Sequence, residues 1–218
     1  MDTYFNSSKS NLNILNKSLY IFDFDGVLVD SVEIKTNAFA EIYKKYGSKV
    51  VEKIIDHHRF NGGMSRIEKF HHYHKEFLGH MISQDEIKQL SHDFSRLVVE
   101  KVIKANEIEG VSYILRFCKQ NNIMCAIASA TPDLELQEIV SLRGWKDVFV
   151  SIYGSPDSKA KNIEKILIAS NTPKSNAIFF GDSINDLDAA KFSDVDFFGI
   201  NYYSGDNKGF REFMDLIK

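Results

Sequence analysis

The chain has 218 residues, 44% of them hydrophobic, which suffices for one sizeable domain or for a core with an inserted smaller unit. A formal net charge of -3 shows no basic bias, so neither nucleic acid nor an anionic membrane is expected as a partner. Two cysteines exclude a disulfide framework and are typical of a protein of the reducing cytoplasm.

The N-terminal segment, residues 1–18, is polar and rich in Asn, Ser and Lys, which predicts a flexible lead. It contains no apolar segment of the kind found in a signal peptide. No run of about 18 apolar residues occurs in the chain, so no membrane-spanning helix is predicted. We therefore expect a soluble, cytoplasmic protein.

The first predicted strand begins at Leu19, in the segment LYIFDFDGVLVDS, and leads into two carboxylates, Asp23 and Asp25. Burying a charge is unfavourable unless it is paired or bound to a metal. Acids two residues apart on a strand project to the same side, and Gly26 permits a tight turn after them. A calcium-binding EF-hand loop is rejected, because it needs Gly at its sixth position, whereas here Gly is at the fourth.

The next stretch, residues 32–106, shows helical periodicity without strand-like runs. Two capping boxes, which begin at Ser65 and Ser83, predict helix starts within it. An all-helical stretch after the first strand predicts an inserted cap domain at 32–106. The remaining residues, 19–31 plus 107–218, are then the α/β core.

The C-terminal half alternates short apolar strands with helices, which predicts βαβ units and a Rossmann-like parallel sheet covered on both faces. A terminal helix is expected after the last strand. The predicted strands cover residues 123–130, 148–154, 176–182 and 195–200, and the predicted helices cover residues 133–144, 158–170 and 184–193.

Polar residues follow the predicted strands, at the edge where ligands bind to open parallel sheets. These strand ends are DFDG at 23–26, SAT at 129–131, SPDSK at 155–159 and GDSIND at 181–186. Carboxylates brought so close together repel one another unless a cation lies among them. Mg²⁺ suits an all-oxygen site with few protein ligands, so the sequence predicts a magnesium site at this edge.

Four ordered motifs resemble those of the haloacid dehalogenase (HAD) superfamily, in its phosphoglycolate phosphatase and β-phosphoglucomutase-like branch. They are DFDGVLVDS, IASAT, a lysine within GSPDSKAKN, and GDSIND. The resemblance extends from Leu19 to about Ile200 and includes a helical cap after the first motif. It implies an HAD-like core and a Mg²⁺-dependent phosphatase that acts on a small phosphorylated metabolite, a sugar phosphate or a phospho-acid.

The resemblance also implies a role for each matched residue. Asp23 resembles the nucleophile that forms an aspartyl-phosphate, and Asp25 resembles the general acid that protonates the leaving oxygen and then activates water. Mg²⁺ would be held by the Asp23 carboxylate, the Asp25 backbone carbonyl and Asp182, with Asp186 in support. The phosphoryl oxygens would be bound by Ser129, Ala130 and Lys159.

The phosphate-binding lysine has two candidates, because the Gly-Lys-Pro of many relatives is replaced here by Gly154-Ser155-Pro156. If the following helix opens at residue 156 or 157, Lys159 lies in its first turn and faces the crevice. Lys161 is then rotated away by roughly 200°. This geometry favours Lys159.

Within the predicted cap, the segment FNGGMSRIEKF at 60–70 combines a glycine loop, an N-cap at Ser65 and a first helical residue at Arg66. Backbone N–H groups and a guanidinium at one place form an anion site, so Arg66 and Lys69 are predicted to contact substrate. The alternative for Arg66 is an exposed charge at a helix start. The β-phosphoglucomutase-like branch has a similar Gly-x-Ser-Arg, but Gly62 stands where the mutase has a lysine.

Other polar residues receive structural interpretations. Thr131 and Pro132 are predicted to be the N-cap and first residue of a helix, and Ser31 is predicted to open the first helix of the cap. The histidines are expected to pack or lie on the surface, although His57 and His58 precede the cap loop and could face substrate.

Two alternatives to a phosphatase remain at this stage. One is a phosphomutase of the β-phosphoglucomutase type, in which the cap retains the intermediate for a second transfer. The other is a catalytically idle module that binds a phosphorylated ligand, although pure binding would not require the acid at Asp25.

Overall fold

The computed structural model describes residues 15–204, 207–209 and 213. Most of the predicted N-terminal lead, residues 1–14, lies outside the described residues. The predicted terminal helix also lies outside the described residues, except for Phe213. No helix in the described part of the chain is both long enough and apolar enough to cross a membrane.

An all-helical insertion follows the first strand, β1 (Leu19–Phe22), as predicted. Its four α-helices pack around buried aromatic side chains that include Phe39, Tyr73 and Phe94. Both predicted capping boxes are present, at Ser65 and at Ser83. The helices are α1 (Val32–Tyr43), α2 (Ser48–Phe60), α3 (Arg66–His72) and α4 (Gln84–Lys104), with a 3₁₀ turn at Lys44–Tyr46 and a π-helical turn at Tyr73–Phe77.

The rest of the described chain alternates helices and strands, which confirms the predicted α/β class. The helices are α5 (Val111–Gln120), α6 (Asp133–Leu142), α7 (Lys159–Ala169) and α8 (Ile184–Ser193), with 3₁₀ turns at Lys146–Val148 and Lys174–Asn176. The strands are β2 (Met124–Pro132), β3 (Ser151–Ser155), β4 (Ala177–Gly181) and β5 (Asp196–Gly199).

Strands β1 to β5 form one parallel sheet in the order β3-β2-β1-β4-β5. The central strand β1 alternates its side chains between two buried faces: Leu19 and Ile21 pack with α7 and α8, whereas Tyr20 and Phe22 pack with α5 and α6. The second of these clusters continues into the helical insertion through residues such as Phe39. This continuity seats the insertion against one end of the sheet.

Three details differ from the sequence-based expectations. The strand predicted at 148–154 begins at Ser151, because residues 146–148 form a 3₁₀ turn. Strand β2 continues through Pro132, so Thr131 is not the N-cap of α6. An unpredicted antiparallel hairpin, β6 (Tyr202–Ser204) and β7 (Asn207–Gly209), follows the sheet.

Candidate active site

The carboxyl edge of the sheet gathers the acids predicted from the strand ends. Asp23 follows β1, Asp182 follows β4, and Asp186 lies in the first turn of α8. One carboxylate oxygen from each of these three residues lies within 4.8 Å of the other two. Parallel strands end at the same edge, which explains how positions so far apart in sequence form one cluster.

Lys159 is the cation within this cluster. Its Nζ lies 2.8 Å from Oδ2 of Asp23 and 2.5 Å from Oδ1 of Asp186. Ser158 caps α7 and makes Lys159 its first residue, whereas Lys161 is exposed and pairs with Asp157 at 2.7 Å. Of the two candidate lysines, the structure therefore places Lys159 at the sheet edge.

The acids of this cluster are held under electrostatic strain. Burial raises the pKa of Asp23 to about 7; Lys159 opposes this shift, and Asp186 and Asp25 add to it. Burial, together with the Asp186 and Asp23 carboxylates, also raises the pKa of Asp182 well above its usual range. Lys159 is subject to the same burial, but Asp186 and Asp23 outweigh it and raise its pKa.

Two glycines allow the acids to approach so closely. Gly26 has a φ of +78°, and a Cβ there would lie 2.3 Å from Oδ2 of Asp182. A Cβ at Gly181 would lie 2.3 Å from Cβ of Asp186. Side chains at either glycine would force the carboxylates apart, so these glycines contribute to the geometry of the site.

The second acid of the first motif, Asp25, is not part of the three-carboxylate cluster and has its own set of partners. Its carboxylate accepts hydrogen bonds from Ser31 Oγ at 2.6 Å, Lys35 Nζ at 2.5 Å and Thr131 Oγ1 at 2.8 Å. Burial alone would raise its pKa, but the Lys35 ammonium and these hydrogen bonds outweigh burial and lower the pKa to about 2. Asp25 is therefore ionised in this arrangement.

These contacts correct the interpretation of Thr131 and add a residue that the sequence did not reveal. Ser31 is the N-cap residue of α1, as predicted, but its side chain makes no capping bond. The N-cap of the helix after Thr131 is Pro132. Both hydroxyls bind Asp25 instead. Lys35 was not identified from the sequence. Its spacing of four residues from Ser31, at the start of α1, could have placed the two side chains on the same face of the helix.

The second strand places the remaining predicted phosphate-binding residues at the same edge. Ser129 is buried, and its Oγ accepts a hydrogen bond from the backbone N–H of Thr131 at 3.2 Å. Ala130 lines a cavity between the sheet edge and the helical insertion. Of the predicted site residues at the sheet edge, Asp25, Ala130 and Asp182 line this cavity.

The helical insertion lines the other side of this cavity with basic side chains: Lys35, His58, Arg66 and Lys69. The glycine loop before α3 touches the sheet edge directly. A Cβ at Gly63 would lie 2.7 Å from Cβ of Asn185 and 2.8 Å from Oγ of Ser183. The insertion therefore covers the acidic cluster.

Arg66 is not the exposed charge of the alternative interpretation, because only 6% of it is accessible. Its guanidinium forms a forked ion pair with Glu135 of α6, at 2.5 and 3.1 Å. It also donates to Ser95 Oγ at 2.7 Å and lies 4.6 Å from the ring centroid of Phe94. Arg66 thus links the insertion to the core, and we call these contacts the Arg66–Glu135 clasp.

Lys69 is even more completely buried, with 2% accessible. Its Nζ lies 2.8 Å from Nδ1 of His58 and 3.5 Å from the carbonyl oxygen of Gly62. Burial, followed by repulsion from Lys35, lowers the pKa of Lys69 to about 7. Burial and Lys69 lower the pKa of His58 to about 2, so this imidazole is neutral and can accept from the ammonium.

A family model for haloacid dehalogenase-like hydrolases matches residues 20–200, which is most of the chain and includes every site residue described above. The chain belongs to this hydrolase family. The resemblance drawn from the four motifs is therefore confirmed at the level of the family.

Individual relatives of this hydrolase are more distant. A phosphorylated carbohydrates phosphatase from Thermotoga maritima is 27% identical over 198 residues, covering 88% of this chain and 89% of the relative. A phosphoglycolate phosphatase from Psychrobacter arcticus is 25% identical over 200 residues, covering 86% and 85%. A solved haloacid dehalogenase-like protein from Streptococcus pneumoniae, 22% identical, superposes with a TM-score of 0.64 over 93% of this chain and 90% of that one.

Proposed function

We propose that this hydrolase is a Mg²⁺-dependent phosphatase, which releases phosphate from a small phosphorylated metabolite through an aspartyl-phosphate on Asp23. One observation carries the proposal: Asp23 Oδ1 is buried and has no hydrogen-bond partner in the part of the chain that the structure describes. A buried, unpaired carboxylate oxygen is costly for a protein to maintain. Beside two further acids and a lysine, it is suited to bind a cation and to attack an electrophile.

In the proposed first step, a carboxylate oxygen of Asp23 attacks phosphorus while the bond from phosphorus to the leaving oxygen breaks. The leaving oxygen takes a proton from Asp25. In the second step, a water molecule gives its proton to Asp25 and attacks phosphorus, which releases phosphate and regenerates the Asp23 carboxylate. Lys159, Ser129 and Ala130 would bind the phosphoryl oxygens, where negative charge must be stabilised.

The hydrogen bonds around Asp25 set the conditions for its role. Lys35, Ser31 and Thr131 hold its carboxylate ionised, which is the form that accepts a proton from water. To donate a proton to the leaving group, Asp25 must first be protonated. Movement of Lys35 away from Asp25 would raise the pKa of this carboxyl and favour that form.

The described acids fit a magnesium ion. Three carboxylates lie together, with Lys159 paired to Asp23 and Asp186. The pKa values of Asp23 and Asp182 are raised, and Oδ1 of Asp23 is buried without a hydrogen-bond partner among the described residues. Asp23 and Asp182 would hold Mg²⁺ together with the backbone carbonyl of Asp25, and Asp186 would support it. Bound there, the ion supplies charge neutralisation for the carboxylates and for phosphoryl oxygens.

The substrate is proposed to be a small phosphorylated molecule enclosed by the helical insertion, which would act as a cap domain over residues 32–106. The names of the two relatives, a phosphatase of phosphorylated carbohydrates and a phosphoglycolate phosphatase, support a sugar phosphate or a phospho-acid. Burial of the site beneath the insertion would exclude bulk water from the phosphoryl group.

The proposal is tested by incubating the purified protein with a panel of sugar phosphates and phospho-acids and measuring free phosphate. Release should require Mg²⁺, disappear in EDTA and return when Mg²⁺ is added in excess. Activity that is indifferent to EDTA would contradict the metal assignment. Accumulation of an isomerised sugar phosphate instead of free phosphate would identify a mutase, and no turnover across the panel would favour an idle binding module.

A further inference from the structure

Lys69 is a buried cation that lacks an acidic partner. Within residues 15–204 its ammonium is bonded only to neutral groups, the imidazole of His58 and, at 3.5 Å, the carbonyl of Gly62. Asp25 and Asp182 act on it only through longer-range attraction. Burying an uncompensated charge is unfavourable, so this arrangement is explained better by a ligand than by stability.

Arg66 is the opposite case, although it lies on the same helix, α3, and lines the same cavity. Both terminal nitrogens of its guanidinium are bonded to the Glu135 carboxylate, and one of them also binds Ser95. Its charge is already neutralised. An anionic ligand would have to displace Glu135 to use it.

The geometry around Lys69 limits what it can bind. An ammonium has three N–H donors, of which one is bonded to His58 and a second is directed weakly at Gly62. The one remaining donor and one charge fit a single oxygen of a carboxylate. A second phosphate group is usually held by several donors or by a bidentate guanidinium, and here the guanidinium of Arg66 is occupied by Glu135.

We propose that Lys69, positioned by His58, binds a carboxylate on the leaving group of the phosphoester and so determines substrate specificity, and that Arg66 does not contact the substrate. This inference rests on the proposed phosphatase function. In this proposal, one buried ammonium in the insertion recognises the leaving group, and separate groups at the sheet edge bind the phosphoryl group.

The lowered pKa of Lys69 agrees with this role. Burial disfavours its positive charge, and Lys35 and Lys159 repel it. A carboxylate bound beside Lys69 would oppose both effects and favour the ammonium form. Such a lysine is stabilised more by an anionic group than by a neutral one. This difference in binding free energy is what discrimination between substrates requires.

The test compares two phosphoesters of similar size by their kcat/KM values with Mg²⁺ present. They are 2-phosphoglycolate and 2-hydroxyethyl phosphate, which has a neutral hydroxymethyl group in place of the carboxylate. The wild-type protein should prefer 2-phosphoglycolate, and Lys69→Met should reduce this preference about 10- to 100-fold, the scale of one hydrogen bond to a charged group. Lys53→Met removes an exposed lysine from α2 and serves as the matched control. It should preserve the wild-type preference.

A double variant tests the exclusion of Arg66. Replacing the whole clasp, Arg66→Met with Glu135→Leu, should leave the preference for the carboxylate in place. If this variant loses the preference and Lys69→Met keeps it, Arg66 is the residue that binds the carboxylate and the inference is wrong. Lys69→Met should also unfold at the same or a higher temperature than the wild type, because it removes a buried charge.

Failure of the inference is distinguishable from failure of the proposed function. If the wild-type protein releases phosphate from neither ester nor from any other in the panel, the phosphatase proposal fails. If it hydrolyses both esters equally well or prefers the ester without a carboxylate, the function stands and the assignment of Lys69 is overturned. This second result needs the wild-type protein alone, so it holds even if Lys69→Met does not fold.

Discussion

The sheet edge and the helical insertion present opposite charges to the same cavity. The edge places Asp25 and Asp182 on the wall of the cavity, and Asp23, Asp186 and Lys159 cluster beside Asp182. The insertion contributes the basic side chains of Lys35, Arg66 and Lys69. The acids that pair with Lys35 and Arg66, Asp25 and Glu135, both belong to the core. Packing of one against the other pairs Lys35 with Asp25 and Arg66 with Glu135, but it leaves Lys69 beside neutral groups.

The two regions therefore have different roles in the proposed reaction. In that reaction, groups at the sheet edge would act on the phosphoryl group, which is common to all phosphomonoesters, so changes there should affect every substrate alike. Groups in the insertion would act on the leaving group or on closure. Changes in the insertion should alter substrate selectivity, stability or access to the site. Measuring kcat/KM for several substrates with each variant would distinguish the effects of the two regions.

The largest effect is expected from Asp23→Asn, which removes the proposed nucleophile from the sheet edge. Turnover of every phosphoester should fall about 10⁴-fold or more, because no other described group is placed to form the covalent intermediate. Thermal unfolding should show a retained fold. Lys161→Met, at an exposed lysine of the same helix as Lys159, should keep activity near that of the wild type. Substantial residual activity in Asp23→Asn would locate the nucleophile elsewhere.

A smaller effect, on stability, is expected from Glu135→Ala, which leaves the Arg66 guanidinium buried without its partner. The free energy of unfolding should fall by about 3–5 kcal/mol. For a chain of this size that corresponds to a decrease in Tm of roughly 10 °C, measurable by calorimetry. The double variant Arg66→Met with Glu135→Leu should recover most of the loss, since apolar side chains can replace a buried ion pair. A double variant as unstable as Glu135→Ala would show that the clasp is not a self-contained pair.

The smallest of the three effects is expected from Gly63→Ala, which disturbs contact between the two regions. Its Cβ would lie only 2.7 Å from Asn185 Cβ, so the glycine loop must shift. Because this shift would displace the helical insertion from the sheet edge, kcat/KM should fall about 10-fold. Gly62→Ala is the matched control, because its Cβ would lie 3.6 Å from Ser183 Cβ, an ordinary contact. Equal losses in both variants would mean that loop flexibility, and not the contact at Gly63, matters.

The sheet and the acids at its edge could be predicted because both follow from local patterns. Apolar runs separated by amphipathic helices predict a parallel sheet, and the topology then brings the strand ends together whatever the details of packing. The preference for Lys159 over Lys161 also came from helical geometry, although it supposed a helix opening at residue 156 or 157. The helix opens instead at Lys159 and is capped by Ser158, which still leaves Lys159 in its first turn. The roles assigned to these residues remain predictions.

The environment of Asp25 and the state of Arg66 could not be predicted, because they depend on contacts between distant segments. Thr131 reaches Asp25 across 106 positions, and Glu135 reaches Arg66 across 69. Each was interpreted by its neighbours in sequence, which made Thr131 a helix cap and Arg66 either an exposed charge or a substrate contact. In the fold, both act on partners that local patterns do not reveal.

The sequence by itself determined the fold class, the family and the gathering of Asp23, Asp182, Asp186 and Lys159, because strand periodicity and strand ends are encoded over a few residues each. Only the tertiary structure decided how charge is distributed across the cavity. It paired Arg66 with Glu135, left Lys69 with a neutral imidazole, and placed Lys35 on Asp25. Coulombic energies depend on distance and burial, and both quantities exist only once the chain has folded.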